Sequence, residues 1–283
     1  MAGTGYQLDE NAAELYEKHT VPTGAQPAAE RLLEHVQLRS TDRVLDAACG
    51  TGIVIRLIAQ SKTQIAQATG LDLNESMLAV ARSVEPAADF PISWKQGDLC
   101  AIPFTNDAFD MVLCNHGFQF VPDKSAALHE IKRVLTRGGR LGFSVWSAEA
   151  PMMLAIADSV RRHIGEELVK SVLAPFSYRD AMAIENLLMA TGFSEITIKN
   201  VEFSRNFPAS PDVGLKVIER SAYANEVAAE RDEVRAAIAS EIFESMQDYR
   251  QGDELVEPLQ NFVVQACAPG VSTAVPSRQT KEI

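Results

Sequence analysis

Nowhere in the 283 residues does an apolar run approach the roughly eighteen residues of a membrane-spanning helix, so no membrane span is expected. The opening stretch MAGTGYQLDENAAEL has no basic segment followed by an apolar one, which argues against a secretory leader and for a cytoplasmic chain. Cysteine is scarce. Cys49, Cys100, Cys114 and Cys267 form no CxxC pair and match no zinc spacing, so reduced and mostly buried thiols are expected. The five histidines form no HExxH-type cluster, and no metal is expected. Concentrated basic patches are also missing. The chain has 26 basic against 38 acidic side chains, a formal net charge of −12. The nearest basic group, Lys132, Arg133, Arg137 and Arg140, follows a helix pattern as its solvated last turn, so nucleic acid is disfavoured as a partner.

What remains is ordinary globular material, 46% hydrophobic and 23% charged, enough for one large α/β domain or two small ones. Glu10 to Lys18 has a helical pattern, Pro22 is expected to interrupt it, and Pro27 opens a second helix through Ala28, Leu32, Leu33 and Val36. From Arg43 short apolar runs alternate with helix-spaced segments. Strands are expected at 43–48, 67–73, 92–99, 109–115 and 140–146, and helices at 53–60, 74–84 and 123–135, with a turn at Gly138-Gly139. Five strands separated in this way predict an α/β, doubly wound, mainly parallel sheet with its ligand-binding loops along one edge. Beyond Trp146 the pattern predicts helices at 151–170 and 178–190, a long strand at 193–207, one or two helices in the acidic stretch 213–250, and a last strand at 261–268. The polar tail from Pro269 is expected to fray.

Four strand ends carry the residues with chemistry. After the first strand comes Asp46-Ala47-Ala48-Cys49-Gly50-Thr51-Gly52, whose small residues let backbone approach a ligand. A GxGxxG dinucleotide loop would need a third glycine where Ile55 stands. Asp72, twenty residues past Gly52, ends the second strand and can accept both ribose hydroxyls of an adenosine. Its other reading is a helix N-cap, a role that Asn74 already offers. Gly97-Asp98-Leu99 ends the third strand, with Asp98 suited to an exocyclic amine and Leu99 and Met77 to the ring faces, although a methionine alone is more often core than ligand contact. Asn115 ends the fourth, where an amide can hold a polar ligand group.

In order and spacing, VLDAACGTG (44–52), GLDLNESMLAVAR (70–82), QGDLCAIPFTNDAFDMVLCNHGFQF (96–120) and LHEIKRVLTRGGRLGFSVW (128–146) resemble the class I S-adenosylmethionine-dependent methyltransferases of the ubiquinone/menaquinone-biosynthesis type and their small-molecule relatives. That resemblance implies a seven-stranded Rossmann-like sheet whose last pair is antiparallel. It implies a cofactor, S-adenosyl-L-methionine, with its methionine part near Asp46, Gly50 and Gly52. The ribose then lies at Asp72 and Leu73, and the adenine near Met77, Gly97, Asp98 and Leu99. A cationic sulfonium also suits an acidic pocket edge, and with no pyrophosphate to cradle, Ile55 is tolerated.

The implied organisation is a helical lid (1–40), a donor-binding core (41–146), and a segment (147–283) that completes the sheet and caps the acceptor site over about 147–178 and 208–257. Tyr16 and Thr20 are expected to close over the donor. Phe118, Gln119 and Trp146 are candidates for the acceptor pocket, with a core role as the alternative for the aromatics. His116, then His19, are candidate bases, each equally readable as a polar rim residue. The activity expected is methyl transfer to a small molecule at O, N, S or C. Two rivals remain, a donor-binding regulatory or assembly protein that transfers nothing, and an NAD-dependent oxidoreductase.

Overall fold

The computed structural model describes residues 10–61 and 63–270; the start of the expected lid and the polar tail beyond 270 lie outside the described residues. The chain begins with helix α1 (Glu10–Leu15), continues as a wide π-type helical segment over Tyr16–Ala25, and runs into α2 (Gln26–His35). The interruption expected at Pro22 does not occur. The Gln26 N–H reaches the Val21 carbonyl, five residues back, and a coil of that width relieves the clash between a proline ring and the preceding turn.

The alternating segment forms β1 (Arg43–Ala47), α3 (Ile53–Gln60), β2 (Gln67–Asp72), α4 (Glu75–Ser83), β3 (Ile92–Gln96), β4 (Phe109–Asn115), α5 (Lys124–Val134) and β5 (Leu135–Trp146). Asn74 caps α4 as its sequence position suggests, accepting the Ser76 N–H. The turn expected at Gly138-Gly139 is instead a bulge inside β5. Leu135 pairs with Phe109, the register then shifts, and Arg140 lies opposite Met111, with Gly138 at φ +71°.

Past Trp146 come α6 (Pro151–His163), α7 (Glu166–Leu173), α8 (Ala181–Ala190), β6 (Ser194–Pro208), α9 (Val213–Ile218), α10 (Ala224–Ala228), α11 (Asp232–Ser245), β7 (Arg250–Gln251) and β8 (Glu254–Cys267). The single helix expected at 151–170 is split at Gly165, whose φ of +141° only glycine adopts readily. The acidic stretch holds three helices rather than one or two, because Ser221 turns the chain by bonding the Ile218 carbonyl and receiving the Tyr223 N–H. The last strand starts seven residues earlier than expected. Glu254, Glu257 and Pro258 hide it in the sequence, yet pairing with β6 runs unbroken from Phe262 to Glu254. Pro258 fits because this outer part has β6 on one side and only the two-residue β7 near its end on the other.

The sheet order is β3-β2-β1-β4-β5-β8-β6, with β7 beside β8. The first five strands are parallel and β8 runs antiparallel to both β5 and β6. The expected seven-stranded arrangement is therefore present, with β7 as an addition. One apolar core (Leu45, Phe109, Leu128, Ile131, Phe143) lies against α5 and α8, and another (Leu32, Val44, Val54, Ile55, Ile58) against α2 and α3. A third is distinct from both. It joins α6, α7, α9, α10 and α11 through Met152, Ile156, Val160, Val172, Ile238 and Ile242. These last helices thus have their own apolar layer, seated on the outer half of the β6–β8 hairpin.

The seat is polar. Glu257 is fully buried; its Oε1 receives the Arg205 Nε–H at 2.6 Å, and its Oε2 receives the Met152 N–H at 2.8 Å in the first turn of α6. One carboxylate so joins β8, β6 and the cap. Glu257→Ala should cost about 3–5 kcal/mol, because it strands the largely buried Arg205 guanidinium. The check is a fall in the urea midpoint with the transition slope kept; an unmoved midpoint refutes this account.

Candidate functional site

The loops after β1, β2, β3 and β4 meet along the carboxyl edge of the parallel strands, as right-handed crossovers require. The loops after β1 and β4 are strained and interlocked. Ala48 and His116 both sit at φ +54°, outside the usual range for residues with a Cβ. Gly117 packs so closely on Ala48 that any side chain at 117 would overlap the Ala48 methyl. A cavity of about 850 Å³ opens between these loops.

Of the residues expected at the donor site, Tyr16, Gly50, Asp72, Leu73, Met77, Asp98, Leu99 and Asn115 all line this cavity. Asp72 Oδ2 accepts the Gly50 N–H and Oδ1 the Asn74 N–H, both at 2.8 Å, so it braces the first loop from the neighbouring strand. Asp98 Oδ1 closes its own turn by accepting the Cys100 N–H at 2.8 Å. Asn115 differs from expectation. Its amide nitrogen donates to the Ala25 carbonyl at 3.0 Å and its oxygen accepts the Ser144 hydroxyl at 2.7 Å, so it ties the N-terminal helices to the sheet.

Four expected residues lie outside this cavity. Gly52 stands at the start of α3 with φ +82°, where a side chain would overlap the Trp94 ring. Gly97 faces Leu71 and Pro103, each 2.8 Å from where its Cβ would be. Both glycines serve packing. Thr20 borders a second cavity instead. Asp46 is behind the wall formed by Ala48 and Gly50, only 1% exposed, and neither of its carboxylate oxygens has a hydrogen-bond partner among the described residues. Burial, then the nearby Asp72 charge, pushes its pKa well above the usual carboxylate range. Burial also raises Asp72, opposed by the backbone N–H groups it accepts. Two carboxylates at adjacent strand ends therefore stand together, and neither has a lysine or arginine partner among the described residues.

The second cavity, about 1340 Å³, lies between the segment Tyr16–Ala25, the cap helices and the outer β6–β8 hairpin. Tyr16, His116 and Phe120 border both cavities. Gln119 and Trp146, the candidates for an acceptor pocket, line it, and the buried Gln119 Oε1 has no partner among the described residues. Phe118 does not line it. That ring is 1% exposed, packed on Phe143 and Tyr178 in the sheet core. Arg205, Phe207, Phe176, Arg220 and Tyr223 line it without having been foreseen. Arg205 and Phe207 could have been found, since both lie in the strand read from the sequence; Arg220 sits in an acidic stretch that gave no sign of a pocket.

His116 lies at the junction but is a poor base. Burial pushes its pKa down to about 3, opposed only by the Asn261 side chain, and its Nε2 accepts the Asn261 amide at 2.7 Å. Trp146 packs edge-on against the ring with centroids 4.2 Å apart. His19 lines the second cavity, its pKa lowered by burial and then by the Arg220 and Lys18 charges.

Comparison with known proteins agrees with the resemblance read from the sequence. Residues 45–143 match the family model described as a methyltransferase domain. A 2-phytyl-1,4-naphtoquinone methyltransferase of Synechococcus elongatus is 37% identical over 101 residues, which span 35% of this chain and 43% of that protein. A demethylmenaquinone methyltransferase of Staphylococcus epidermidis is 25% identical over 183 residues, 60% of this chain and 76% of that protein. Among solved structures, a Haemonchus contortus phosphoethanolamine N-methyltransferase in complex with phosphomonomethylethanolamine and S-adenosylhomocysteine superposes with a TM-score of 0.57 at 21% identity. It covers 92% of this chain and 57% of that one, a likeness of fold.

The lowered His116 pKa has a signed consequence. The unfolded chain takes up a proton near pH 6.5 that the folded chain refuses until about pH 3, so this group's contribution to stability is complete above 6.5 and lost as pH falls through that window. Imidazole resonances should show His116 as a neutral ring throughout pH 8 to 5; a midpoint near 6.5 would overturn the assignment.

Proposed function

We propose that the protein is an S-adenosylmethionine-dependent methyltransferase, with the donor in the first cavity and a small-molecule acceptor in the second. The observation that carries the reading is the carboxylate pair of buried Asp46 and half-buried, cavity-lining Asp72, left without a cation partner among the described residues and set around a loop of small residues. Such a site favours a ligand that brings positive charge to the end of β1 and hydroxyls to the end of β2. S-adenosylmethionine fits on both counts, and when bound it supplies a methyl group made electrophilic by a sulfonium.

In this reading Asp72 receives the ribose hydroxyls, Met77 and Leu99 flank the adenine, and Asp98 takes its exocyclic amine. Asp46 offsets the charge of the methionine end through the Ala48–Gly50 backbone. Tyr16 and Phe120 border the junction, where the acceptor is aligned from the second cavity. Alignment and desolvation can supply most of the acceleration of an in-line displacement, which suits a site whose central histidine is a neutral, hydrogen-bonded ring.

The named activities of the two quinone-directed relatives, together with an apolar second chamber, support a ring-bearing metabolite as acceptor. A net charge of −12 favours a small molecule over nucleic acid. No helix among the described residues is long and apolar enough to cross a membrane; a cytoplasmic location is part of the proposal. A lid (1–40), a donor core (41–146) and a sheet-completing cap (147–283) are part of the same proposal.

Calorimetry with S-adenosylmethionine, S-adenosylhomocysteine and NAD tests the donor; binding of NAD alone would reject it. Asp46→Asn makes the test residue-specific. Removing a buried, unpartnered charge should leave the ligand-free melting temperature unchanged or higher while weakening S-adenosylmethionine binding about tenfold or more. Undiminished affinity in that variant would remove Asp46 from the donor site.

A further inference from the structure

The walls of the second cavity carry a charge pattern opposite to that of the whole chain. Acidic side chains outnumber basic ones by twelve overall, yet among the described residues no aspartate or glutamate lines this chamber. Two arginines do, together with His19 and His116. The arginines are not equivalent. Arg205 is bound from behind by the buried Glu257 and lies over the Phe207 ring, its guanidinium carbon 4.8 Å from the centroid, so that pair is neutral overall. Arg220 follows α9, and no carboxylate partner to its side chain is found among the described residues. Its charge is nevertheless felt inside the chamber, for it helps to hold the His19 pKa down. The remaining wall is mostly apolar or aromatic, with Trp146, Phe176 and Phe207 among its rings.

We propose, on the methyltransferase reading above, that the acceptor is an organic acid, an anion on an apolar body, whose charge is held by Arg220 while the body lies among Trp146, Phe176 and Phe207. A cationic wall in an otherwise acidic protein focuses attraction for an anion at that mouth alone. It also disfavours ammonium-bearing acceptors, which would meet the uncompensated Arg220 charge and no lining carboxylate among the described residues. The chemistry then balances without a base. A lone pair of the acceptor's ionised oxygen forms the new O–CH₃ bond, the S–CH₃ bond breaks with its pair passing to sulfur, and a neutral ester or ether and a neutral thioether result. No proton has to move. His19 need not become a cation beside Arg220, and His116 can remain a neutral, hydrogen-bonded ring. The methylated product has lost the charge that held it, so Arg220 releases what it no longer attracts.

The test uses the full chain saturated with S-adenosylhomocysteine and a graded series of acids paired with their amides: benzoate and benzamide, 2-naphthoate and 2-naphthamide, dodecanoate and dodecanamide. At least one acid should bind about tenfold tighter than its amide, as expected of a charge-assisted contact. Arg220→Gln should shrink that gap to about threefold or less while S-adenosylhomocysteine affinity stays as in the parent. Arg231→Gln, which removes an exposed charge outside the chamber, should leave the gap intact. The proposal is overturned if no acid in the series outbinds its amide, or if the preference survives Arg220→Gln. Failure of the unmodified protein to bind S-adenosylhomocysteine would sink the donor reading itself, an outcome read before any acid is added.

Discussion

A buried carboxylate, Asp46, beside a half-buried one, Asp72, at neighbouring strand ends, with no lysine or arginine partner to either among the described residues, is the constraint around which the site is arranged. Parallel pairing sets Asp46 opposite Gly70 and Ala47 opposite Leu71, which brings Asp72 level with the first loop. Leaving charges there disfavours the compact chain, because burial penalises the ionised form of both. The backbone compensates only for Asp72, through the N–H groups of Gly50 and Asn74. Asp46 has no such relief, and an apolar residue in its place would pack without that penalty. A costly group in a position set by the fold is expected where function, rather than packing, has fixed the residue.

The same logic extends to the backbone. Ala48 and His116 hold φ near +54° at the two loops that face each other, and Gly117 allows them to touch. Each such residue costs on the order of 1–3 kcal/mol unless its surroundings impose it. Here they do. His116 N–H is held by the Ser144 carbonyl, its ring by Asn261 and Trp146, and Asn115 anchors the adjoining helices. The result is a rigid junction between two cavities, built from four strands and closed by segments with a separate apolar core.

The core of the fold was legible because its signals are local. Short apolar runs ending in Asp46, Asp72, Asp98 and Asn115 recur with helix-spaced segments between them, and three of those four residues line one cavity as read. What the sequence concealed depends on pairing or on packing at a distance. Glu254 to Gln260 reads as a polar loop and becomes a strand because β6 offers it an unbroken partner. Gly52 looks like a ligand loop residue, yet the demand for glycine comes from Trp94, more than forty positions away. Phe118 sits one residue from a true wall residue, Gln119, and faces the opposite side. Arg220 was invisible, since nothing near it in the chain indicates that two short helices and a longer one fold back over the sheet edge.

Tyr16, His116 and Phe120 form a common partition, touching both compartments at once. Occupants on either side must therefore settle against one set of atoms. Any adjustment that the first arrival imposes on those rings is inherited by the second, and thermodynamic reciprocity makes the influence equal in both directions. A coupling carried by that partition would show as a dissociation constant for one occupant that changes when the opposite room is filled, by the same factor in either order.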